Sequence, residues 1–259
     1  MILEEFDANQ QAVLNPSDSM GERMPDFPKT FVSCFARETF SRLLNSYPHR
    51  ELFSLSLACI EIPIYELDIQ GIKIGFFNAF VGAAGCVAVL EDLIYMGMEN
   101  LVLFGTCGVL EEIEETSLII PTAALRDEGT SYHYQPASRE IPVNQDHLSA
   151  LESFLDQGQI SYTLGKAWTT DGIYRETANK ITKRRQEGAI CVDMECSAVA
   201  ALAAFRQIQH VHCFYSADSL ANESWDPRTL SNHDDLEKKD KIGHLMIEFA
   251  LTHFEGKKF

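Results

Sequence analysis

The sequence predicts an α/β protein with a central, mostly parallel sheet and helices on both faces. Short apolar runs, typical of buried strands, alternate along the chain with longer segments whose apolar residues recur at helical spacing. Several of these runs end in glycine or polar residues, as strands do at the edge of an open sheet where ligands bind. The 259 residues are enough for one large domain of this class.

The beginning of the chain is polar and rich in proline, which predicts an N-terminal arm over residues 1–30 ahead of a single domain over residues 31–259. The first helix is predicted in "ARETFSRLL" (36–44). Residues 52–81 are strand-like on both sides of the Gln70-Gly71 pair, which predicts a hairpin with its turn at these two residues.

The next helix is predicted over residues 83–97, because Val87, Leu90 and Leu93 lie on one face of a helix and Gly97 is a helix terminator. The strand that follows, "LVLF" (101–104), stops at Gly-Thr-Cys-Gly. These four residues predict a tight turn. Its alternatives are a site for a small ligand or a simple connection between strand and helix, since the turn has no P-loop lysine and no GxGxxG spacing.

The second half of the chain continues the alternation of strands and helices. Its predicted strands are "SLIIP" (117–121), "YTLGKAW" (162–168), "AICVD" (189–193) and "VHCFYSAD" (211–218), and its predicted helices are an alanine-rich segment (194–207) and an amphipathic tail (235–254).

Composition excludes several functional classes. The formal net charge is -17, so nucleic acid and anionic membrane surfaces are poor partners. No apolar run reaches the length of a membrane span, and "MILEEFDANQ" lacks the features of a signal peptide. The seven cysteines have no CxxC spacing, which predicts reduced core thiols in a cytoplasmic protein, and the absence of a Cys/His cluster predicts no metal site.

Polar residues follow four of the predicted strands. Two of these residues, Glu195 and Asp218, are carboxylates at strand ends, where catalytic residues of open α/β sheets are common. Glu195 opens a helix, where an acid stabilises the helix dipole or accepts two hydrogen bonds from a vicinal diol. Asp218 ends a strand, where it serves as a helix cap or as a general acid. The segments "LRDEGTSYHY" (125–134) and "WTTDGIYRET" (168–177) are predicted to be exposed loops or to line a pocket or a subunit interface, and Arg175-Glu176 is also compatible with a surface ion pair.

Taken together, these segments resemble the nucleoside phosphorylase and nucleosidase superfamily, in particular its purine nucleoside and uridine phosphorylases. The resemblance covers residues 71–250 and is carried by "GTCGVL" (105–110), "IIPTAALRDEGTSYHY" (119–134), "WTTDGIYRET" (168–177), "VDMECSAVAALA" (192–203) and "SADSL" (216–220). It implies a three-layer αβα domain with a mixed sheet, a homo-oligomer that is a dimer or a hexamer, and a nucleoside and phosphate as substrates. No cofactor is implied.

The resemblance also implies roles for individual residues. Glu195 and Met194 would bind the ribose, and Asp218 would protonate the base. The other assignments are Cys107, Gly108, Ile173, Tyr174 and Asp193 at the base, and Thr106, Gly82, Arg126 and Arg175 at the phosphate.

Two expected phosphate ligands are missing from the sequence. The family's phosphorylases carry an arginine where this chain has Leu103, and they carry a Gly-Asp-Pro-x-Arg loop where it has "FVSCFARETF", with Arg37 the only nearby cation. Phosphorolysis is the main hypothesis for the function. Hydrolysis of the same bond and a non-catalytic, nucleoside-binding relative are the alternatives. Asp218 favours a purine base and the 125–134 segment favours uridine, so the base stays open.

Overall fold

A ten-stranded mixed sheet forms the centre of the computed structural model, which describes residues 2–222, 224–231 and 233–257. The strands are β1 (Thr30–Cys34), β2 (His49–Ser56), β3 (Glu61–Ile69), β4 (Ile72–Asn78), β5 (Asn100–Val109), β6 (Leu118–Asp127), β7 (Glu140–Pro142), β8 (Tyr162–Thr170), β9 (Ala189–Asp193) and β10 (Gln209–Ser219). The helices are α1 (Pro16–Ser19), α2 (Arg37–Ser46), α3 (Ala83–Met96), α4 (Leu148–Gln157), α5 (Ala178–Gln186), α6 (Cys196–Arg206) and α7 (Leu236–His253). Short 3-10 helices span Ile2–Glu4, Thr130–His133 and Ile173–Arg175.

The strand order is β10-β6-β8-β9-β5-β1-β4-β3-β2, with β7 paired to β6. Because β10 also pairs with β5, the strands β5, β10, β6, β8 and β9 close on themselves, while β1, β4, β3 and β2 extend the sheet from β5. Parallel and antiparallel pairings are equally frequent in the described sheet, so it is more evenly mixed than the sequence indicated.

Alternating side chains of β5 divide the core into two layers. Val102 and Phe104 pack with apolar residues of α2, α4 and α7, whereas Leu101 and Leu103 pack with those of α3 and α6. Successive residues of a strand point to opposite faces, so both faces of β5 are covered by helices. The αβα arrangement predicted for the domain is confirmed.

The Gly-Thr-Cys-Gly segment is not the tight turn that the sequence predicted. It continues β5 as far as Val109, pairing with β10 on one side and with β9 at its end. A Cβ on Gly105 would come within 2.6 Å of the Phe35 ring, so glycine serves close packing at this position. The local sequence suggested a turn because the pairing that extends the strand is made by residues far along the chain.

The residues of the predicted arm lie against α3 and α6. The Phe6 ring meets Phe205 edge-on at 6.3 Å, and Arg206 donates to the backbone carbonyl of Gln10 at 2.9 Å. All seven cysteines are free thiols, of which only Cys59 is exposed. Among the described helices, none combines the length and the apolar character that crossing a membrane requires.

Candidate active site

A cavity of about 180 Å³ lies where β5, β9 and β10 meet. It brings together most of the residues that the sequence assigned to a site: Thr106, Cys107 and Gly108 from β5, Asp193, Met194 and Glu195 between β9 and α6, Ile173 after β8, and Asp218 from β10. Phe35, Val81, Glu176, Val192 and Leu230 complete the lining. Gly82, Arg126, Tyr174 and Arg175 do not line it.

Glu195 lies at the start of α6, and its side chain is held by the start of α3. It is the residue immediately before α6, it is 6% exposed, and its Oε1 accepts a hydrogen bond from the backbone N–H of Gly82. Gly82 has a φ of 104°, which glycine adopts readily, and precedes α3. Burial and the charge of Asp193 raise the pKa of Glu195 to about 8. Gly82 therefore positions this carboxylate instead of lining the cavity as a phosphate donor.

Asp193 anchors the N-terminus of α6. Its Oδ2 accepts the backbone N–H groups of Glu195 at 2.8 Å and Cys196 at 2.6 Å, and its Oδ1 accepts the Thr169 hydroxyl at 2.7 Å. These bonds supply acceptors for two helix N–H groups that have no partner within the helix. Burial raises the pKa of Asp193 to about 6. Because both oxygens are engaged, the contacts of Asp193 support a positioning role, and its contact with a base stays a prediction.

The polar network continues away from the cavity to the 125–134 segment. Thr169 Oγ1 accepts the backbone N–H of Ser197 at 3.0 Å, and the Ser197 hydroxyl donates to the buried Glu128 at 2.8 Å. Glu128 also accepts the backbone N–H of Ser131 at 2.9 Å. Sequence reasoning missed Thr169, Ser197 and Glu128 as supports, since their partners are distant along the chain.

Asp218 faces the cavity opposite a glycine. It follows an irregularity in β10, pairs with Gly108 in register, and accepts the Trp225 indole N–H at 2.7 Å. A Cβ on Gly108 would lie 3.3 Å from Asp218 Oδ1 and 2.7 Å from the Leu220 side chain. Burial raises the pKa of Asp218, which favours its protonated form.

Glu176 is a cavity residue that the sequence analysis did not assign. Its side chain is half-buried, and burial together with the charge of Asp218 raises its pKa to about 7. Within the described residues it makes no ion pair with Arg175, which is exposed, so the surface-pair alternative is not supported. Tyr174 is 94% exposed and does not line the cavity, whereas Ile173 contributes to the cavity wall.

The described lining contains no lysine or arginine. Arg126 is 4% exposed, and its guanidinium donates to Ser131, Pro136, Ser138 and Gln135, so it organises its own loop and does not face the cavity. Its assignment to phosphate has no support in this geometry.

Two other positions considered for phosphate lie outside the cavity. Leu103 is fully buried in the core beneath α3 and α6. Arg37 is largely exposed and lies two residues beyond Phe35 of the lining, with Glu38 as a neighbour at 3.9 Å. Thr106, from the "GTCGVL" segment (105–110), does line the cavity and contributes a hydroxyl group to it.

Among the described residues, one group of potential metal ligands includes Asp193 of the cavity lining. Asp193, Cys196 and His212 each offer one ligand atom, and these atoms lie within 4.8 Å of one another. Both oxygens of Asp193 already accept hydrogen bonds, and three donors are fewer than the four of a structural zinc site. These residues therefore do not fit a closed zinc centre.

The sequence profile of the Phosphorylase superfamily matches residues 77–245, which contain every cavity residue except Phe35. The chain belongs to the phosphorylase superfamily. The resemblance noted in the sequence motifs is thereby confirmed at the level of the family.

The relatives to which the chain is similar share 24–30% of its residues over the matched regions. The guanosine phosphorylase of Halorubrum lacusprofundi is 24% identical over 144 residues, which cover 55% of this chain and 60% of that protein. The chain spans about half to three-fifths of the length of the curated relatives it matches.

Solved structures share the fold over most of the chain. The uridine phosphorylase of Vibrio fischeri ES114 has a TM-score of 0.74 at 17% identity, covering 94% of this chain and 99% of that one. The AMP nucleosidase of Bacteroides thetaiotaomicron has a TM-score of 0.69 at 19% identity, covering 90% and 91%. At these identities the similarity shows the fold alone.

Replacing Thr169 by valine tests the support of the α6 N-terminus. Thr169→Val keeps the shape but removes the donor to Asp193 and the acceptor for Ser197 N–H, so the free energy of unfolding should fall by about 1–3 kcal/mol. Denaturant unfolding measures the change. Thr169→Ser retains the hydroxyl and should lose much less. Equal stability of the two variants would contradict the proposed network.

The raised pKa of Glu195 predicts a pH dependence of stability. The folded carboxyl has a pKa of about 8 against 4.5 when unperturbed, so the folded state binds the proton more tightly than the unfolded state. The stabilisation is therefore complete below pH 4.5 and is lost as the pH rises towards 8. Glu195→Gln, which keeps an acceptor for Gly82 N–H, should flatten this decline in unfolding curves recorded from pH 5 to 8.5. An unchanged slope would show that Glu195 titrates normally.

Proposed function

We propose that this chain cleaves the N-glycosidic bond of a nucleoside by phosphorolysis, releasing the base and a pentose 1-phosphate. The observation that carries the proposal is that one cavity holds both Glu195 and Asp218 beside Thr106. The names of the curated phosphorylases that the chain resembles support the same reaction. Phosphate is the co-substrate, and neither a resident cofactor nor a metal takes part.

The two carboxyl groups serve opposite ends of the breaking bond. As the bond from C1′ to the base nitrogen lengthens, positive charge develops on the sugar and negative charge on the base. Glu195 accepts hydrogen bonds from the ribose 2′ and 3′ hydroxyls, and its negative charge stabilises the positive charge that develops on the sugar. In turn, the positive charge on the sugar stabilises the ionised form of Glu195. Met194 packs against the ribose.

The Asp218 carboxyl supplies a proton to the leaving base. Burial raises its pKa, which favours the protonated form, and a purine offers N7 as the acceptor. A phosphate oxygen forms the new bond to C1′ while the electron pair of the old bond goes to the base. Asp218 is left as a carboxylate. Cys107, Gly108 and Ile173 form the surrounding wall of the base site.

The phosphate site is assigned to Thr106 together with cations at the edge of the cavity. Arg37 and Arg175 are exposed, and each lies two residues along the chain from a lining residue, Phe35 and Ile173 respectively, which makes them two candidates. A neighbouring subunit is a further source, in keeping with the homo-oligomer that the resemblance implies. Val81, Ile173, Trp225 and Leu230, partly exposed apolar residues on or beside the cavity lining, are suited to being covered by such a neighbour.

Hydrolysis by water is the second candidate, and the charge of the cavity favours it. Four carboxylates, Glu176, Asp193, Glu195 and Asp218, and no cation belong to the described lining. A dianion is costly to desolvate in such surroundings, whereas water carries no charge.

Base release from adenosine, inosine and uridine, with and without phosphate, separates the two reactions. Phosphorolysis predicts release only with phosphate, and Glu195→Gln should lower kcat/KM by roughly a hundredfold or more because the diol contact strengthens in the transition state. Glu111→Gln alters an exposed carboxylate outside the cavity and should leave kcat/KM unchanged. Equal release without phosphate would establish hydrolysis. Thermal stabilisation by nucleoside without any release would contradict both reactions.

A further inference from the structure

Trp225 contacts the carboxylate that the proposed reaction uses as its acid. Its indole N–H donates to Asp218 Oδ2 at 2.7 Å. The ring does not line the active-site cavity. It lines a neighbouring cavity of about 430 Å³ together with residues of α5, so it reaches Asp218 from outside the space that a base would occupy.

The position of Trp225 is set by the sheet. Trp225 lies six residues after Ser219, the last residue of β10, and the residue that follows it, Asp226, pairs with Ser219 through two backbone hydrogen bonds of 2.9 Å. The backbone N–H of Thr229 then donates to the carbonyl of Ala217 at 3.0 Å. The residues on both sides of the acid therefore anchor the segment that carries the indole.

The hydrogen bond distinguishes the two oxygens of Asp218. Among the described residues, Trp225 is the one side chain that donates to this carboxyl, and an indole N–H donates without accepting. A neutral carboxyl accepts best at its carbonyl oxygen, so the bond favours Oδ2 as that oxygen and leaves the proton on Oδ1. Oδ1 lies on the side of Gly108, a residue of the cavity lining.

The other ionisable groups around Asp218 do not replace the indole as a donor. Those in the cavity lining ionise to anions, and they are Cys107 from β5, Glu176 before α5, and Asp193 and Glu195 between β9 and α6. In the segment after β10, Asp226 raises the pKa of Asp218 and Arg228 lowers it. The Arg228 guanidinium donates to the backbone carbonyl of Ile113 at 2.8 Å.

We propose that Trp225 is a positioning residue for acid catalysis by Asp218. Its N–H holds Oδ2, so that Oδ1 presents its proton to the leaving base. The inference rests on the proposed function, because it takes Asp218 as the acid.

The same hydrogen bond becomes stronger as the reaction proceeds. When the glycosidic bond breaks, its electron pair goes to the base, and the proton on Oδ1 goes to a ring nitrogen of the base. Asp218 becomes a carboxylate, and a hydrogen bond to a charged acceptor is roughly twice as strong as one to a neutral acceptor. Trp225 therefore stabilises the transition state more than the bound substrate, which raises kcat.

The hydrogen bond also affects the pH range in which Asp218 acts. Burial raises the pKa of Asp218, and the Trp225 N–H lowers it, so loss of the N–H raises this pKa. Because Asp218 acts in its protonated form, activity declines as the pH rises through the pKa, and a variant without the N–H should decline at a higher pH. Glu176, with a pKa of about 7, titrates in the same cavity, so the observed decline belongs to both groups.

Trp225→Phe keeps an aromatic ring and removes the donor. With inosine its kcat should fall by about tenfold to a hundredfold, because a hydrogen bond to a developing charge is lost, and its KM should stay within about threefold. Tyr95→Phe is the matched control. It removes an aromatic hydroxyl that donates to Gly21 at the far end of α3 from Gly82, and it should change neither constant.

A nucleoside whose base needs no proton separates positioning of the acid from general packing. The base of 7-methylinosine is already positively charged and leaves without protonation. Trp225→Phe and Asp218→Asn should both cleave it with a kcat within about threefold of the wild type. An equal loss on inosine and 7-methylinosine, or a pH profile for inosine that Trp225→Phe does not move, would overturn the inference.

The indole N–H resonance of Trp225 provides a test that does not depend on turnover. The sequence has two tryptophans, and the other, Trp168, is fully buried with its indole donating to Asp127 at 3.0 Å. In spectra of protein with isotope-labelled tryptophan, the resonance that disappears in Trp225→Phe should move between pH 5 and 8.5. It should also move in Glu176→Gln and should not move in Asp218→Asn.

The combined outcomes separate the inference from the proposed function. A Trp225 resonance that follows Asp218, in a protein that cleaves no nucleoside, would leave the hold of Trp225 on this carboxyl intact, and only the proposed function would fail. A resonance that does not move with pH, together with equal kcat of the wild type and Trp225→Phe, would refute the role of Trp225 and leave the proposed function intact. Movement that disappears in Glu176→Gln would also refute it.

Discussion

The capping of α6 by Asp193 is the interaction on which the candidate site depends. The carboxylate at the end of β9 holds the N–H groups of Glu195 and Cys196, so the direction in which α6 leaves the sheet is fixed at its first residue. Glu195 is then held from the other side by Gly82, at the start of α3. Both helices pack on the same layer of the core, and the position of this one carboxylate is therefore set by the interior of the protein.

The charge of the cavity follows from the same arrangement. Burial raises the pKa of Asp193, although the hydrogen bonds that cap the helix lower it, and burial together with the charge of Asp193 raises the pKa of Glu195. Asp218 and Glu176 repeat this pattern at the other side of the lining. Such a cavity retains protons and favours positive charge, which suits a cationic sugar and a base that must be protonated. It is poorly suited to a phosphate dianion unless cations outside the described lining approach.

Much of the fold was predictable because the pattern of apolar residues within each segment determines whether it forms a strand or a helix. The strand "AICVD" matches β9 residue for residue, and the alternation of apolar runs with helical segments gave the layered architecture. The failures were tertiary in origin. The strand character of Gly105–Gly108 depends on pairing with β10 and β9, and α4 and α5 were not predicted at all.

Glu195 and Asp218 of the candidate site were identified from the sequence as carboxylates that follow strands. Glu176 was not, because nothing next to it in the sequence indicates that it lines the same cavity as Asp218. From the sequence, Arg126 was a candidate phosphate ligand. Its guanidinium instead donates to the backbone carbonyls of Gln135 and Pro136, which reach it only because the loop folds back on itself.

A crystal structure of the protein with a C-nucleoside, whose carbon–carbon glycosidic bond resists cleavage, tests the central claim most directly. The account predicts the 2′ and 3′ hydroxyls within hydrogen-bond distance of the Glu195 carboxylate and the base directed towards Asp218. A nucleoside bound in this cavity with its base at Glu195, or bound at another place on the protein, would contradict it.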